Sequence, residues 1–224
     1  MRHYLILAAV AFLCASAPLS TALHAQRRGA PLEITLAHDS PPERATAERL
    51  RELLQTYDVD RWLYTRRVVI DERTTPFSHP VLTLTPRLPR AGATAAAVAA
   101  ADRRLLADFL HEQFHWLEEG NPQFRSAMQA FQTQFPDAPA GGPTGAKDLE
   151  STYRHLLVCD LELQVLTELF GAQAAREELA ARRYYTWIYE RVLEDPKVRE
   201  IVIEHGFLLT GSGLSRRGIL APPG

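Results

Sequence analysis

The spacing of apolar positions along the chain predicts a mostly helical protein. Apolar side chains recur every three or four residues, opposite charged ones, as they do in helices packed on a core. Six segments follow this period: 43–57, 95–119, 123–135, 147–170, 172–195 and 198–205. In segment 147–170 apolar residues cover more than half of the circumference, which indicates a helix buried on most sides.

Short runs with β-strand character precede the first long helical segment. Residues 31–38 alternate between apolar and polar side chains, which is typical of a half-buried strand. Residues 67–71 and 81–85 are rich in β-branched and apolar side chains and are separated by turn residues that include Pro76 and Pro80. We therefore expect an α+β fold, mostly α, with a small sheet before helix 95–119.

The first 25 residues have the pattern of a secretory signal peptide. An apolar run from Leu5 to Ala15 follows the basic Arg2, and small residues lead up to Ala25. The run is shorter than a helix that spans a bilayer, and no second apolar segment follows it. The sequence therefore predicts a secreted or periplasmic protein with no membrane span after signal cleavage.

The remaining residues suit one domain with a core of ordinary size. We expect this domain to cover residues 26–210, followed by a loose tail at 211–224 that is rich in Gly, Ser and Pro. The Pro- and Gly-rich residues 136–145 form either a lid or, as we favour, a connection. Cys159 would be the one mature cysteine, which excludes an internal disulfide.

Charge argues against a nucleic-acid partner. The formal net charge is −2, and loss of Arg2 with the signal peptide makes it about −3. The pattern does not fix the oligomeric state.

Candidate chemistry enters with helix 95–119, which contains His111-Glu112-Gln113-Phe114-His115. Positions i and i+4 share one helix face, so both imidazoles can reach a single Zn²⁺. Glu112 projects in another direction, from which it can reach a water molecule at the metal. This segment resembles the zincin metallopeptidases, and the resemblance rests on these five residues and the helix around them.

The resemblance implies a zincin-like helical domain that holds one zinc ion per chain. His111 and His115 would be ligands, Glu112 the general base, and a peptide or protein the substrate. The residues after His115 lack the His-x-x-Gly-x-x-His extension of metzincins, so the third ligand is expected from another helix, as in gluzincins. In zincins the strand before the metal helix often binds substrate by strand addition, although a plain hairpin is an equal alternative here. The corresponding residues are Val81, Leu82, Thr83 and Leu84.

Helix 147–170 offers two candidates for the third ligand. At 100° per residue, one side is polar and predicted to be solvated. It carries Glu150, Arg154, Asp160, Gln164 and Glu168. His155 and Glu162 share the apolar side, where an unpaired charge is costly. They are seven residues apart, about 10.5 Å along the helix, so one zinc cannot take both. We predict His155, with Glu162 as the alternative that the gluzincin analogy favours.

The sequence offers candidates for two further roles, a fourth metal ligand and a transition-state donor. Cys159 lies between His155 and Glu162 and could close a structural metal site, an arrangement that Glu112 disfavours. A donor that stabilises the transition state is also expected. Its candidates are Tyr184, Tyr185 and His205. The alternatives to an enzyme are a secreted metal-binding protein of peptidase-like fold without turnover, and a helical interaction protein.

Overall fold

The helical period of the sequence is realised in seven α-helices within residues 31–209, the part of the chain that the computed structural model describes. Their bounds are α1 Pro41–Thr56, α2 Ala95–Glu119, α3 Phe124–Gln134, α4 Leu149–Phe170, α5 Ala172–Ala180, α6 Thr186–Glu194 and α7 Pro196–Glu204. None of these helices is long and apolar enough to cross a membrane. The predicted signal peptide, residues 1–25, and the predicted tail, residues 211–224, lie outside the described residues.

Three parallel strands form the small sheet that precedes α2. They are β1 (Glu33–Leu36), β2 (Arg67–Ile70) and β3 (Leu82–Leu84), paired in that order. The sheet and the helices confirm the expected fold, α+β and mostly α. The hairpin interpretation of β2 and β3 is wrong, because these strands run in the same direction.

Local signals start the two helices that carry the predicted site. The Thr94 hydroxyl accepts a hydrogen bond from the Ala97 amide at the start of α2, and the Asp148 carboxylate accepts one from the Ser151 amide at the start of α4. The alanine-rich first turns of α2 are largely exposed, whereas the residues from Leu105 to Glu118 are buried except for the half-buried Trp116. The motif therefore lies in the buried half of α2.

Helix α4 lies at the centre of the helical layer, in contact with α2, α3, α5, α6 and α7. The prediction that Asp160 and Gln164 face solvent is wrong, because α7 and the residues after it cover that side. Arg199 Nε donates to Asp160 Oδ1 at 2.9 Å, and Gln164 Nε2 donates to the Phe207 carbonyl at 3.2 Å. These bonds offset the cost of burying the two polar side chains.

The predicted helix 172–195 is divided by a turn at residues 181–185, in which Tyr185 adopts a left-handed conformation with φ of 60°. The first amides of α6 donate to the carbonyls of Pro143 and Thr144, at 3.1 and 3.2 Å. Loop 136–145 thus connects α3 to α4 and also holds the start of α6. None of its residues lines the cleft described below.

Candidate metal centre

Helices α2 and α4 bring three imidazoles together. The ring centroids of His111, His115 and His155 are 5.2, 5.5 and 5.0 Å apart. One nitrogen from each ring lies within 4.8 Å of one from each of the others. Zinc–nitrogen bonds of about 2.0–2.1 Å bring ligand nitrogens closer together than this upper limit, so the three rings are candidate ligands of one ion.

The Nδ1 atom of each imidazole lies at hydrogen-bond distance from an oxygen that can accept a hydrogen bond from it. His111 Nδ1 is 3.1 Å from Glu162 Oε2, and His115 Nδ1 is 2.8 Å from Glu118 Oε1. His155 Nδ1 is 2.7 Å from the Ser151 carbonyl oxygen. The Nε2 atoms are therefore the nitrogens left for a metal. Such outward hydrogen bonds fix the orientation and the tautomer of metal-binding histidines.

Glu162 is held in this supporting position by two donors. Arg182 Nη2 donates to its Oε1 at 2.8 Å, and the Tyr189 hydroxyl donates to its Oε2 at 3.0 Å. Arg182 also donates to Asp108, one turn before the motif on α2. Of the two candidates for the third ligand, the structure thus places His155 beside His111 and His115, in the histidine triangle that these three rings form. Glu162 instead contacts Nδ1 of His111.

A second group of potential ligands, His111, Cys159 and Glu162, lies behind the triangle. Cys159 and Glu162 are fully buried and neither lines the cleft. The Arg182 guanidinium already supplies the positive charge beside Glu162, so a cation there would be repelled. This group suits a metal less well than the three histidines do.

A third group, His38, Glu43 and Asp71, has an ordinary structural explanation. Glu43 is fully buried and its carboxylate accepts hydrogen bonds from the amides of His38, Ser40 and Glu72. With Ser40 it forms the capping box of α1. Its lone pairs are therefore used by the backbone.

The histidine triangle opens into a cleft of about 510 Å³, and Glu112 lines the same cleft. Glu112 is 7 % exposed, and no group in residues 31–209 donates a hydrogen bond to its carboxylate. A buried carboxylate without a protein donor is costly unless water or a ligand meets it. The cleft therefore presents three imidazoles and an unpaired carboxylate to the same ligand.

Burial and neighbouring charges separate the pKa values of the three imidazoles. Burial and the charge on His111 lower the pKa of His115 well below its usual value and that of His155 to about 3. Burial acts in the same direction on His111, but hydrogen bonds with Cys159 and Glu162 outweigh it and raise its pKa well above the ordinary value. Two of the three imidazoles are thus neutral, the form that binds metal.

Burial raises the pKa of Glu112 to about 7, with His111 acting against this shift and Asp108 adding to it. A carboxylate that titrates near neutral pH is suited to take a proton and to return it. Burial also raises the pKa of Glu118 to about 8, although Arg154 opposes the change. Glu118 faces His115 rather than the cleft.

The candidates for a stabilising donor separate in the structure. Tyr184 and Tyr185 both line the cleft; the Tyr185 ring lies 4.4 Å from that of His155, whereas Tyr184 is 72 % exposed. His205 does not line the cleft, and its Nδ1 is 3.0 Å from the Ser126 hydroxyl. Tyr185 is the candidate nearest to the histidine triangle.

The predicted substrate strand is also placed differently from the expectation. Val81 precedes β3, and the residues of β3 are buried and do not line the cleft. The outward-facing backbone groups of Thr83 pair with Phe77, at 2.8 and 3.1 Å. This edge of Val81, Leu82, Thr83 and Leu84 is therefore occupied, and segment 75–78 forms the rim of the cleft instead.

Two residues that support the site, Glu118 and Arg182, had not been assigned from the sequence. Glu118 follows His115 by three positions, and this helical spacing could have identified it as the partner of that ring. Arg182 had no comparable signal, because it meets Asp108 and Glu162 only through the tertiary fold. Its role depends on the break between α5 and α6.

Comparison of the chain with models of protein families, with curated proteins and with solved structures found no match. The resemblance to zincins therefore rests on the His-Glu-x-x-His segment and stays a prediction.

Proposed function

We propose that this protein is an exported zinc-dependent hydrolase of zincin-like type that cleaves amide bonds in peptides. The observation that supports this most directly is the shared cleft: three oriented imidazoles and the unpaired Glu112 carboxylate face the same space. A site of three histidines leaves a fourth metal position for water, as catalytic zinc requires. The proposal of export rests on the N-terminal apolar run.

His111, His115 and His155 would hold the ion through Nε2. When bound, zinc would supply Lewis acidity, which lowers the pKa of water and polarises a carbonyl. Glu112 removes a proton from the attacking water and then delivers it to the leaving amine. Its position in the cleft wall, without a competing protein donor, leaves both oxygens available for these transfers.

Tyr185 is the residue that we assign to stabilise the developing oxyanion. Its ring packs beside His155 and lines the cleft, and burial raises the pKa of its hydroxyl, which keeps the proton in place for donation. The left-handed backbone at this position is an uncommon conformation for tyrosine. Such backbone strain is often found where a side chain must be aimed at a reacting group.

The test is to measure zinc per chain and peptide hydrolysis on the same preparations. Wild-type protein, Glu112→Gln and His155→Ala are purified without chelators, offered zinc and assayed with a library of quenched fluorescent peptides. We expect about one zinc per chain in the first two proteins and none in His155→Ala. Hydrolysis should fall by about 10²–10⁴-fold in Glu112→Gln, because the general base is lost.

Each component of the proposal has its own contradictory outcome. Zinc in the wild type without hydrolysis of any library peptide would indicate a metal-binding protein rather than a peptidase. Absence of zinc from the wild type would exclude the metal centre itself. Full activity in Glu112→Gln would show that another group acts as the base.

A further inference from the structure

One wall of the cleft carries three arginines around a single carboxylate. Arg87 Nε and Arg104 Nε each lie 3.2 Å from an oxygen of Asp108, and Arg182 donates to the same side chain. All four residues line the cleft. Glu162 and Glu178 compensate part of this charge from behind the wall, but neither is at the cleft surface. The surface that a ligand meets is therefore richer in cations than in anions.

Of these three arginines, Arg104 is the one whose donors are least used in hydrogen bonds. Its contacts with Asp108 at 3.2 Å and with Glu178 at 3.6 Å are ion pairs, and within residues 31–209 it donates no hydrogen bond. Its Nε is buried without a hydrogen-bond partner, while the side chain as a whole is 30 % exposed. A guanidinium has five N–H donors in a planar fork that fits a carboxylate. Arg104 thus has the donors and the access to bind an anionic group.

The spacing of Arg104 and the proposed general base, Glu112, along α2 sets the distance between them. Arg104, Asp108 and Glu112 follow one another at four-residue spacing on α2, so they form a row along the helix. Eight residues correspond to about 12 Å along the helix axis. An extended peptide advances about 3.3 Å per residue, so this row spans on the order of three to four residues.

We propose that the cleft selects peptides that carry a carboxylate about three residues from the cleaved bond, and that Arg104 binds this group. The proposal rests on the function proposed above, since it takes the bond to be cleaved as lying at Glu112. The carboxylate is either an acidic side chain or the C-terminus of the peptide. Both present the same planar pair of oxygens to a guanidinium.

The test measures the binding of fluorescent alanine-rich nonapeptides, each with one phenylalanine, by anisotropy. The peptides carry one Glu at each position in turn or Gln in its place, and each is made with a free and an amidated C-terminus. Binding is measured on zinc-loaded Glu112→Gln protein, which prevents cleavage, and on the same protein with Arg104→Gln or Arg103→Gln added. Arg103 is the matched control, because it neighbours Arg104 but does not line the cleft.

We expect the carboxylate peptide to bind at least about tenfold more tightly than its neutral twin, as charge-assisted hydrogen bonds allow. This ratio should fall to near one in Arg104→Gln and persist in Arg103→Gln. A Glu-dependent ratio identifies an acidic side chain, and an amidation-dependent ratio identifies the C-terminus. Equal binding of the twins, no binding of any peptide, or a ratio that survives Arg104→Gln overturns the proposal.

Failure of the proposed function is read separately, from zinc content and hydrolysis by the wild type. A carboxylate preference in a protein that cleaves nothing would remove the hydrolase proposal and leave a carboxylate-binding cleft. Hydrolysis by the wild type without a preference for carboxylate peptides would keep the hydrolase proposal and remove the carboxylate-binding role of Arg104.

Discussion

Proton competition at His111 should set the pH dependence of zinc binding. In the metal-free protein His115 and His155 have lowered pKa values and are neutral, whereas His111 has a raised pKa and keeps its proton below that value. Because zinc must displace this proton, zinc affinity should rise with pH until His111 is deprotonated. We expect a slope of about one log unit per pH unit, whereas three ordinary imidazoles would approach three at low pH.

Competition with a chelator of known affinity between about pH 5 and 8 measures this slope. A slope near three would mean that all three rings carry protons in the metal-free protein. No dependence on pH would mean that His111 is already neutral, contrary to its contacts with Glu162 and Cys159.

The carboxylate behind His115 provides a second prediction for a single residue. Above about pH 8, where Glu118 is ionised, Glu118→Gln should weaken zinc binding about 10–100-fold, because an amide holds the ring Nδ1–H less strongly than a carboxylate does. Glu119→Gln is the matched control: Glu119 is the next residue and pairs with His79 rather than with a ring of the triangle. Chelator competition on both variants measures the change. Equal affinities for zinc would remove the supporting role of Glu118.

Helices with a clear hydrophobic period could be predicted from the sequence. The directions of the strands and the break between α5 and α6 could not. Segment 95–119 was predicted with the bounds of α2, because alanine and leucine favour helix and Gly120 follows. The parallel pairing of β2 and β3 was not readable, because alternating apolar residues specify a strand but not its direction.

The break at residues 181–185 illustrates a different limit of sequence-based prediction. No glycine or proline marks it, and local propensity favours a continuous helix there. The break is supported instead by contacts distant in sequence: Arg182 with Asp108, and the amides of α6 with loop 136–145. The cleft residues Arg182, Tyr184 and Tyr185 depend on this break. The three histidines and the two tyrosines could therefore be named as candidates from the sequence, but the wall that Arg182 forms around them could not.

The same loop provides a prediction at the scale of an element. A Cβ atom on Gly145 would overlap the Pro139 carbonyl oxygen and lie 3.1 Å from Thr152 Oγ1. Because the loop must open between residues 139 and 145, and must also shift away from Thr152 on α4, Gly145→Ala should lower the free energy of unfolding by about 1–3 kcal/mol, as overpacking does. Denaturant unfolding measures the change, with Gly120→Ala as control, since a Cβ there meets nothing closer than 3.9 Å. Equal losses in both variants would mean that the loop yields freely.

At the scale of the whole molecule, a buried ionic network joins the candidate metal centre to the packing of the helices. Arg182 lies between Asp108 on α2 and Glu162 on α4, and Glu162 in turn contacts His111. Removing the cation from such a group leaves uncompensated buried charges, which costs more than an intact group contributes. The zinc-binding geometry and the relative positions of α2 and α4 are therefore expected to change together.

This coupling predicts that zinc raises the Tm of the protein. It also predicts that the variants differ in the size of this rise and in their Tm without zinc. A ligand that binds only the folded state adds about 4 kcal/mol at a thousandfold excess over its Kd. For a chain of this size that corresponds to a rise in Tm of about 8–16 °C. Wild type and Glu112→Gln should show the full rise, because Glu112 is not a ligand, whereas His155→Ala should show none.

Arg182→Met should have a lower Tm than the wild type without zinc, since Asp108 and Glu162 lose their shared partner. Scanning calorimetry with and without zinc gives both quantities. A zinc-dependent rise that persists in His155→Ala would place the ion outside the histidine triangle, most directly at His111, Cys159 and Glu162.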